Sequence, residues 1–131
     1  MKSIVVTTSA KTEFIDITSR IDDIARKNGW ASGIIHIYIP HTTAGITINE
    51  NADSSVQEDI IESLNKLAPA NKSYKHCEGN SDAHIKASLI GSSVAVIVED
   101  NKLILGRWQG IFFCEFDGPR KREIYLQFCN A

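Results

Sequence analysis

Three histidines, His41, His76 and His84, stand beside polar residues where strand or helix ends are expected. Three imidazoles that leave a fourth position open are a common way of holding a catalytic zinc ion. Their spacing matches no local zinc signature, so surface or helix-capping histidines fit the same pattern. Cys77, next to His76, is either a fourth ligand or a bystander thiol. His36 differs: it is embedded among isoleucines in Ile34-Ile35-His36-Ile37-Tyr38-Ile39 and reads as a hydrogen-bonded core histidine.

Acidic and amide groups gather at Asn49, Glu50, Asn51 and Asp53. Asp53 reads as a helix cap. Glu50, at a strand end, suits a general base or a partner that orients a histidine. Glu115 sits in a strand of Phe and Ile, on the face that also carries Gln109. A carboxylate there needs a partner or a raised pKa, so it is either functional or ion-paired with Arg120 or Arg122. The basic run Arg120-Lys121-Arg122 follows Asp117-Gly118-Pro119. An arginine held by such a turn can offer a bidentate fork to phosphate or carboxylate, or be only a solvated tip. Lys86 and Arg107 add positive charge elsewhere. There is no glycine-rich phosphate loop, no Asp-rich pyrophosphate motif and no serine in a nucleophile elbow.

These groups need strands to carry them. Gly33 to Asp53 is the organising stretch. Its near-unbroken apolar start suits a strand covered on both faces, and Pro40 stops it. His41-Thr42-Thr43 follow, and Ile46 and Ile48 alternate with polar residues as in a half-buried strand. Before it, Ile4–Thr8 reads as a strand and the alternation of Phe14, Ile15 and Ile17 as its hairpin partner. Thr18 or Ser19 caps a helix that Asn28-Gly29 ends. After it, Asp53 or Ser54 caps a second helix, with Val56, Ile60, Leu64 and Leu67 as its buried stripe and Pro69 as its end. Residues 70–80 form a polar loop. Ser81 caps a short third helix, with Gly91 as its stop, which puts His84 and Ser88 on one face. Val94–Val98, Leu103–Leu105, Trp108–Phe116 and Ile124–Phe128 complete the strands. Strands with two or three interleaved helices make the class α+β with a largely antiparallel sheet.

The 131 residues fit one domain, 1–131, and the 43% hydrophobic content is enough for a real core. A net charge of −2 and so small a basic group argue against nucleic acid, which needs a broad basic face. No apolar run is long enough to span a bilayer, and the N-terminus lacks a signal-peptide core. Three widely spaced cysteines without a CxxC fit reduced thiols in a cytoplasmic protein.

Three blocks, HTTAGITINENAD at 41–53, GNSDAHIKASLIGSS at 79–93 and LGRWQGIFFCEFDGPRKRE at 105–123, resemble those of the YjbQ (UPF0047) family in order and almost over the whole chain. One departure is visible: the family has Gly-Thr-Trp-Gln where this chain has Gly106-Arg107-Trp108-Gln109. The family is also described as that of a secondary thiamine-phosphate synthase. The resemblance implies an α+β β-sandwich or half-barrel flanked by helices, a homotrimer with sites near subunit boundaries, and a small phosphorylated substrate. The implied reaction joins a thiazole phosphate to an aminopyrimidine pyrophosphate. On this reading His41, Glu50 and Glu115 are catalytic. Thr42, Asn49, Lys86, Gln109 and Arg120 hold substrate, and His41, His76 and His84 hold a divalent metal such as zinc. The alternative is a non-catalytic trimer that binds a metal, metabolite or partner protein.

Overall fold

Period-two burial organises the strands and decides which side chains can reach a site. The computed structural model describes residues 1–131. In chain order the elements are β1 (Lys2–Thr7), β2 (Glu13–Asp16), α1 (Thr18–Lys27), β3 (Gly33–Tyr38), β4 (Ala44–Glu50), α2 (Ser54–Leu67), α3 (Ser81–Ile90), β5 (Ser93–Glu99), β6 (Lys102–Ile104), β7 (Gln109–Glu115) and β8 (Lys121–Asn130). They form a five-stranded sheet, β1-β8-β3-β5-β6, and a three-stranded sheet, β2-β7-β4. Every strand pair is antiparallel. The fold is the expected α+β half-barrel with three helices.

The two sheets meet face to face over Ile4, Val6, Ile35, Ile37, Ile46, Val96, Ile111, Phe113, Ile124 and Leu126, with Ile21 and Ala25 of α1 closing the same core. β-Branched residues suit this pleated surface. The other face of the small sheet is also covered. There Phe112, Cys114 and Phe116 pack on Leu64 of α2 and on Ala83 and Ala87 of α3. This is why β7 is buried on both faces. Asp53 caps α2 by accepting from Ser55 N–H at 2.9 Å.

Several sequence expectations are corrected. β3, not β7, was expected to be covered on both faces, yet Ile35 and Ile37 are buried while Ile34, His36 and Tyr38 are exposed. The large sheet has only one neighbouring layer, so His36 is an outward-facing surface residue. Val94–Val98 is likewise buried on one face only. β1 and β2 form no hairpin: β1 joins β8 in one sheet and β2 joins β7 in the other. The chain between them changes layer. Helix α1 takes Ile17 as its N-cap; Asp16 Oδ1 accepts from Thr18 N–H and Oγ1–H instead. Helix α3 takes Asn80, not Ser81, as its N-cap. Leu67 is 72% exposed, because the buried stripe of α2 continues into Ala68.

Candidate functional site

Three segments that are distant in sequence form one cleft. The first is the Pro40–Thr43 connection between β3 and β4. The second is the His84 face of α3. The third is the Asp117–Arg120 turn that joins β7 to β8. Two adjoining cavities, of about 360 and 510 Å³, share His41, Thr42 and His84 in their walls. The smaller adds Asn80, Glu78, Asp117, Arg120 and Arg122; the larger adds Ser88, Gly91 and Ser92.

Helix α3 lies close against β4 because Gly45 has no side chain: a Cβ there would sit 2.7 Å from Gly91 O. Ile46 N–H donates to that same carbonyl at 3.0 Å. The contact sets His84 beside Ala44, and the helical period brings Ser88 onto its face, its Oγ–H donating to His84 O at 2.9 Å. His41 is held from the other wall, its Nε2 accepting from Glu123 N–H at 3.0 Å. Burial, then the neighbouring Arg122 guanidinium, keeps the His41 pKa below the ordinary imidazole range.

A buried ion pair forms the floor. Glu115 is fully buried and accepts from Thr8 Oγ1–H and Arg122 Nε–H, both at 2.9 Å, and from Phe116 and Asp117 N–H, both at 3.1 Å. A terminal Arg122 nitrogen also donates to Glu115, and to Thr43 Oγ1 at 2.8 Å. Burial raises the Glu115 pKa, but these hydrogen bonds and the Arg122 charge outweigh it and leave the group below the usual carboxylate range. Arg120 stands at the rim. Its Nε and one terminal nitrogen donate to Asp117 O at 2.9 Å and Asp117 Oδ2 at 3.0 Å. Asn80 donates Nδ2–H to Asp117 at 3.0 Å and leaves its Oδ1 buried without a protein donor.

His41, Thr42, His84 and Arg120 therefore share one cleft. Of the other residues picked out from the sequence, His76 reaches His84, and the rest do not join this group within the chain. Glu115 has no surface that a substrate could touch; its partner is Arg122, the second of the two arginines considered. Lys86 is 2% exposed, donating to Asn65 Oδ1 at 2.7 Å and lying 3.5 Å from Asp82. Burial lowers its pKa against the opposing pull of Asp82. Asn49, Glu50 and Gln109 lie at the far end of β4, where Glu50 pairs with Gln109 and Asn49 with Gly110. Six residue steps along a strand separate that end from Ala44 by roughly 20 Å. Glu50 orients no histidine there; Gln57 holds its carbonyl, and Gln109 Oε1 accepts from Gly106 N–H at 2.7 Å. A third cavity, of about 680 Å³, opens at this end among Asp16, Thr18, Asn51 and Lys102.

His76 packs edge-on against His84 with ring centroids 5.3 Å apart. No group of three or more His, Cys, Asp or Glu side chains is placed to hold a metal ion. With His41 Nε2 engaged by the main chain, the three histidines as arranged do not fit a three-imidazole centre. Reading the sequence missed Asn80, Asp117, Ser92 and Thr43 as parts of the cleft. Asn80 had one available signal, its place as a helix N-cap directly before Ser81.

Residues 2–131 match the model of the family described as UPF0047 protein YjbQ-like. UPF0047 protein MJ1081 of Methanocaldococcus jannaschii is 55% identical over 93% of this chain and 88% of its own length. UPF0047 protein YugU of Bacillus subtilis is 48% identical over 97% of both. Among solved structures, an uncharacterised YjbQ/UPF0047-family protein of Clostridium acetobutylicum superposes with a TM-score of 0.95 at 50% identity, covering 98% of this chain and 100% of that one. A YbjQ-like protein of unknown function from Sulfolobus solfataricus gives 0.94 at 34% identity, covering 99% and 96%.

Proposed function

The chain belongs to the UPF0047 YjbQ-like family, and on that premise we propose that the His41–His84 cleft binds a small phosphorylated metabolite and transforms it. The observation that carries this reading is the convergence of two imidazoles and a guanidinium on adjoining cavities. Arg120 keeps one terminal nitrogen for an anion, a role that Thr42 can support through its hydroxyl. The orphaned Asn80 Oδ1 calls for a donor such as a ligand hydroxyl or amine. His84 is the group for proton transfer, and Arg120 steadies a departing phosphate or pyrophosphate. Thiamine-phosphate-synthase-like joining of a thiazole phosphate to an aminopyrimidine pyrophosphate is the specific reaction to assay first.

A homotrimer is part of the same reading. The outer face of the large sheet exposes Val5, Ile34, Tyr38, Ile97 and Ile104, apolar area that favours burial against another subunit. Light scattering on the purified chain at micromolar concentration tests it. The second reading is a non-catalytic metabolite-binding trimer, favoured by Glu115 being sealed from the cleft. Turnover of the two synthase substrates and of a panel of phosphate esters separates the readings. Parental protein should turn over, and His84→Ala and Arg120→Ala should each lose about 100-fold or more. Parental rates in both variants would remove the catalytic reading.

A further inference from the structure

The role of His41 follows from the backbone it caps. Strand β3 pairs with β8 as far as Tyr38 opposite Tyr125. On the other side of β8, Thr8 N–H donates to Arg120 O at 2.9 Å, and Val5 stands opposite Glu123. Hydrogen-bonded and non-hydrogen-bonded pairs alternate along an antiparallel ladder. Val5–Glu123 is therefore a non-hydrogen-bonded pair, and the N–H and C=O of Glu123 face the β3 side. The residue due opposite them, two beyond Tyr38, is Pro40, which has no N–H for the Glu123 carbonyl, and no main-chain bond joins the Glu123 N–H to the Pro40 carbonyl.

His41 fills the gap. Its Nε2 lies 3.0 Å from Glu123 N and 3.2 Å from Glu123 O. One ring nitrogen can serve only one of these groups at a time. Unprotonated, it accepts from the N–H; protonated, it donates to the C=O. A carbonyl with two lone pairs tolerates a missing partner better than an N–H does, and the N–H is also the nearer group. Burial, and then the neighbouring Arg122 guanidinium, oppose a second proton and outweigh the Glu123 carbonyl and the nearby carboxylates, which favour it. Nδ1 then carries the hydrogen and is the only ring nitrogen left for a ligand. Across the cleft, the His84 ring touches only the edge of the His76 ring.

We infer that the β8 main chain fixes His41 as the Nδ1–H tautomer, making it a stationary hydrogen-bond donor to a ligand oxygen and leaving proton transfer to His84. The donor role rests on the cleft being the ligand site; the tautomer does not. The test is long-range 15N–1H correlation spectroscopy on the full chain labelled with 15N-histidine, at pH 7, with His41 assigned from the His41→Gln spectrum. A protonated Nδ1 and a bare Nε2 are expected at His41, and inorganic phosphate should shift the Nδ1 signal as it binds. An Nε2–H tautomer or an imidazolium at pH 7 overturns the inference. So does phosphate that saturates Arg120 and His84 without moving His41 Nδ1. If phosphate fails to bind while the tautomer is as stated, the anion reading of the cleft falls and the tautomer stands. His41→Gln, which keeps both a donor and an acceptor, should hold phosphate within about threefold of the parent, and His41→Phe should weaken it about tenfold or more.

Discussion

Replacing Glu115 by Gln removes one charge from the floor of the cleft and leaves its volume almost unchanged. The parent carboxylate is fully buried and takes hydrogen bonds from Thr8, Arg122, Phe116 and Asp117. Arg122 is 3% exposed and has only Thr43 as a further partner. Breaking a buried pair from one side strands the other charge, at a cost of about 3–5 kcal/mol. For a chain of this length that corresponds to a fall in Tm of roughly 10–20 °C. Urea unfolding of parent and variant at pH 7 measures it. The pH dependence supplies a sign. The folded pKa of Glu115 is depressed, so the pair's contribution is complete above the unfolded carboxylate value, about 4, and is lost as pH falls through the lower folded value. The gap between parent and Glu115→Gln should therefore narrow as pH falls below about 4. The double variant Glu115→Leu with Arg122→Met should recover part of the loss, since apolar isosteres need no counter-charge. A loss under about 1 kcal/mol at pH 7, or a gap that widens as pH falls below about 4, would refute the buried-pair argument.

Gly45→Ala should separate α3 from β4, because the new methyl meets the Gly91 carbonyl at 2.7 Å; a loss of about 1–3 kcal/mol by urea melt is expected, with weakened ligand binding at the His84 wall, and an unchanged melt would show that the contact yields freely. Thiol titration of the native chain should find Cys77 and Cys129 promptly reactive and Cys114 silent until denaturant is added, since burial pushes the Cys114 thiol well above its ordinary pKa; three equally fast thiols would contradict its burial.

Local signals carried much of the architecture because they depend on near neighbours. The Asp53 cap of α2, the Asn28-Gly29 end of α1 and the Gly91 stop of α3 need only a few adjacent residues, and each stands in the structure where the sequence puts it. Periodicity failed where it had to report on layers. The run from Ile34 to Ile39 looks continuous, yet only every second side chain is covered, since nothing in a strand's own sequence tells it whether a second layer exists. The open face with Ile34, His36 and Tyr38 is a property of the sheet, not of β3.

The same division runs through the cleft. Residue type alone made His41, His84 and Arg120 candidates, because imidazole and guanidinium keep their chemistry wherever they lie. Sequence could not decide that Glu115 belongs to Arg122, over a separation of seven residues, rather than to a substrate. That choice depends on a turn that carries the chain from β7 in one sheet to β8 in the other and buries both charges together. Nor could it separate Asn49, Glu50 and Gln109 from His41, because proximity in sequence conceals the length of an extended strand. What residue order determined by itself was the inventory of chemical groups and the local stops and caps. Only the tertiary structure decided which groups are solvent-facing, which neutralise each other in the interior, and that the chain leaves the β3 ladder before Pro40, so that His41 takes up the Glu123 N–H. Burial and hydrogen-bond partnership are properties of the space between elements, and packing the elements creates that space.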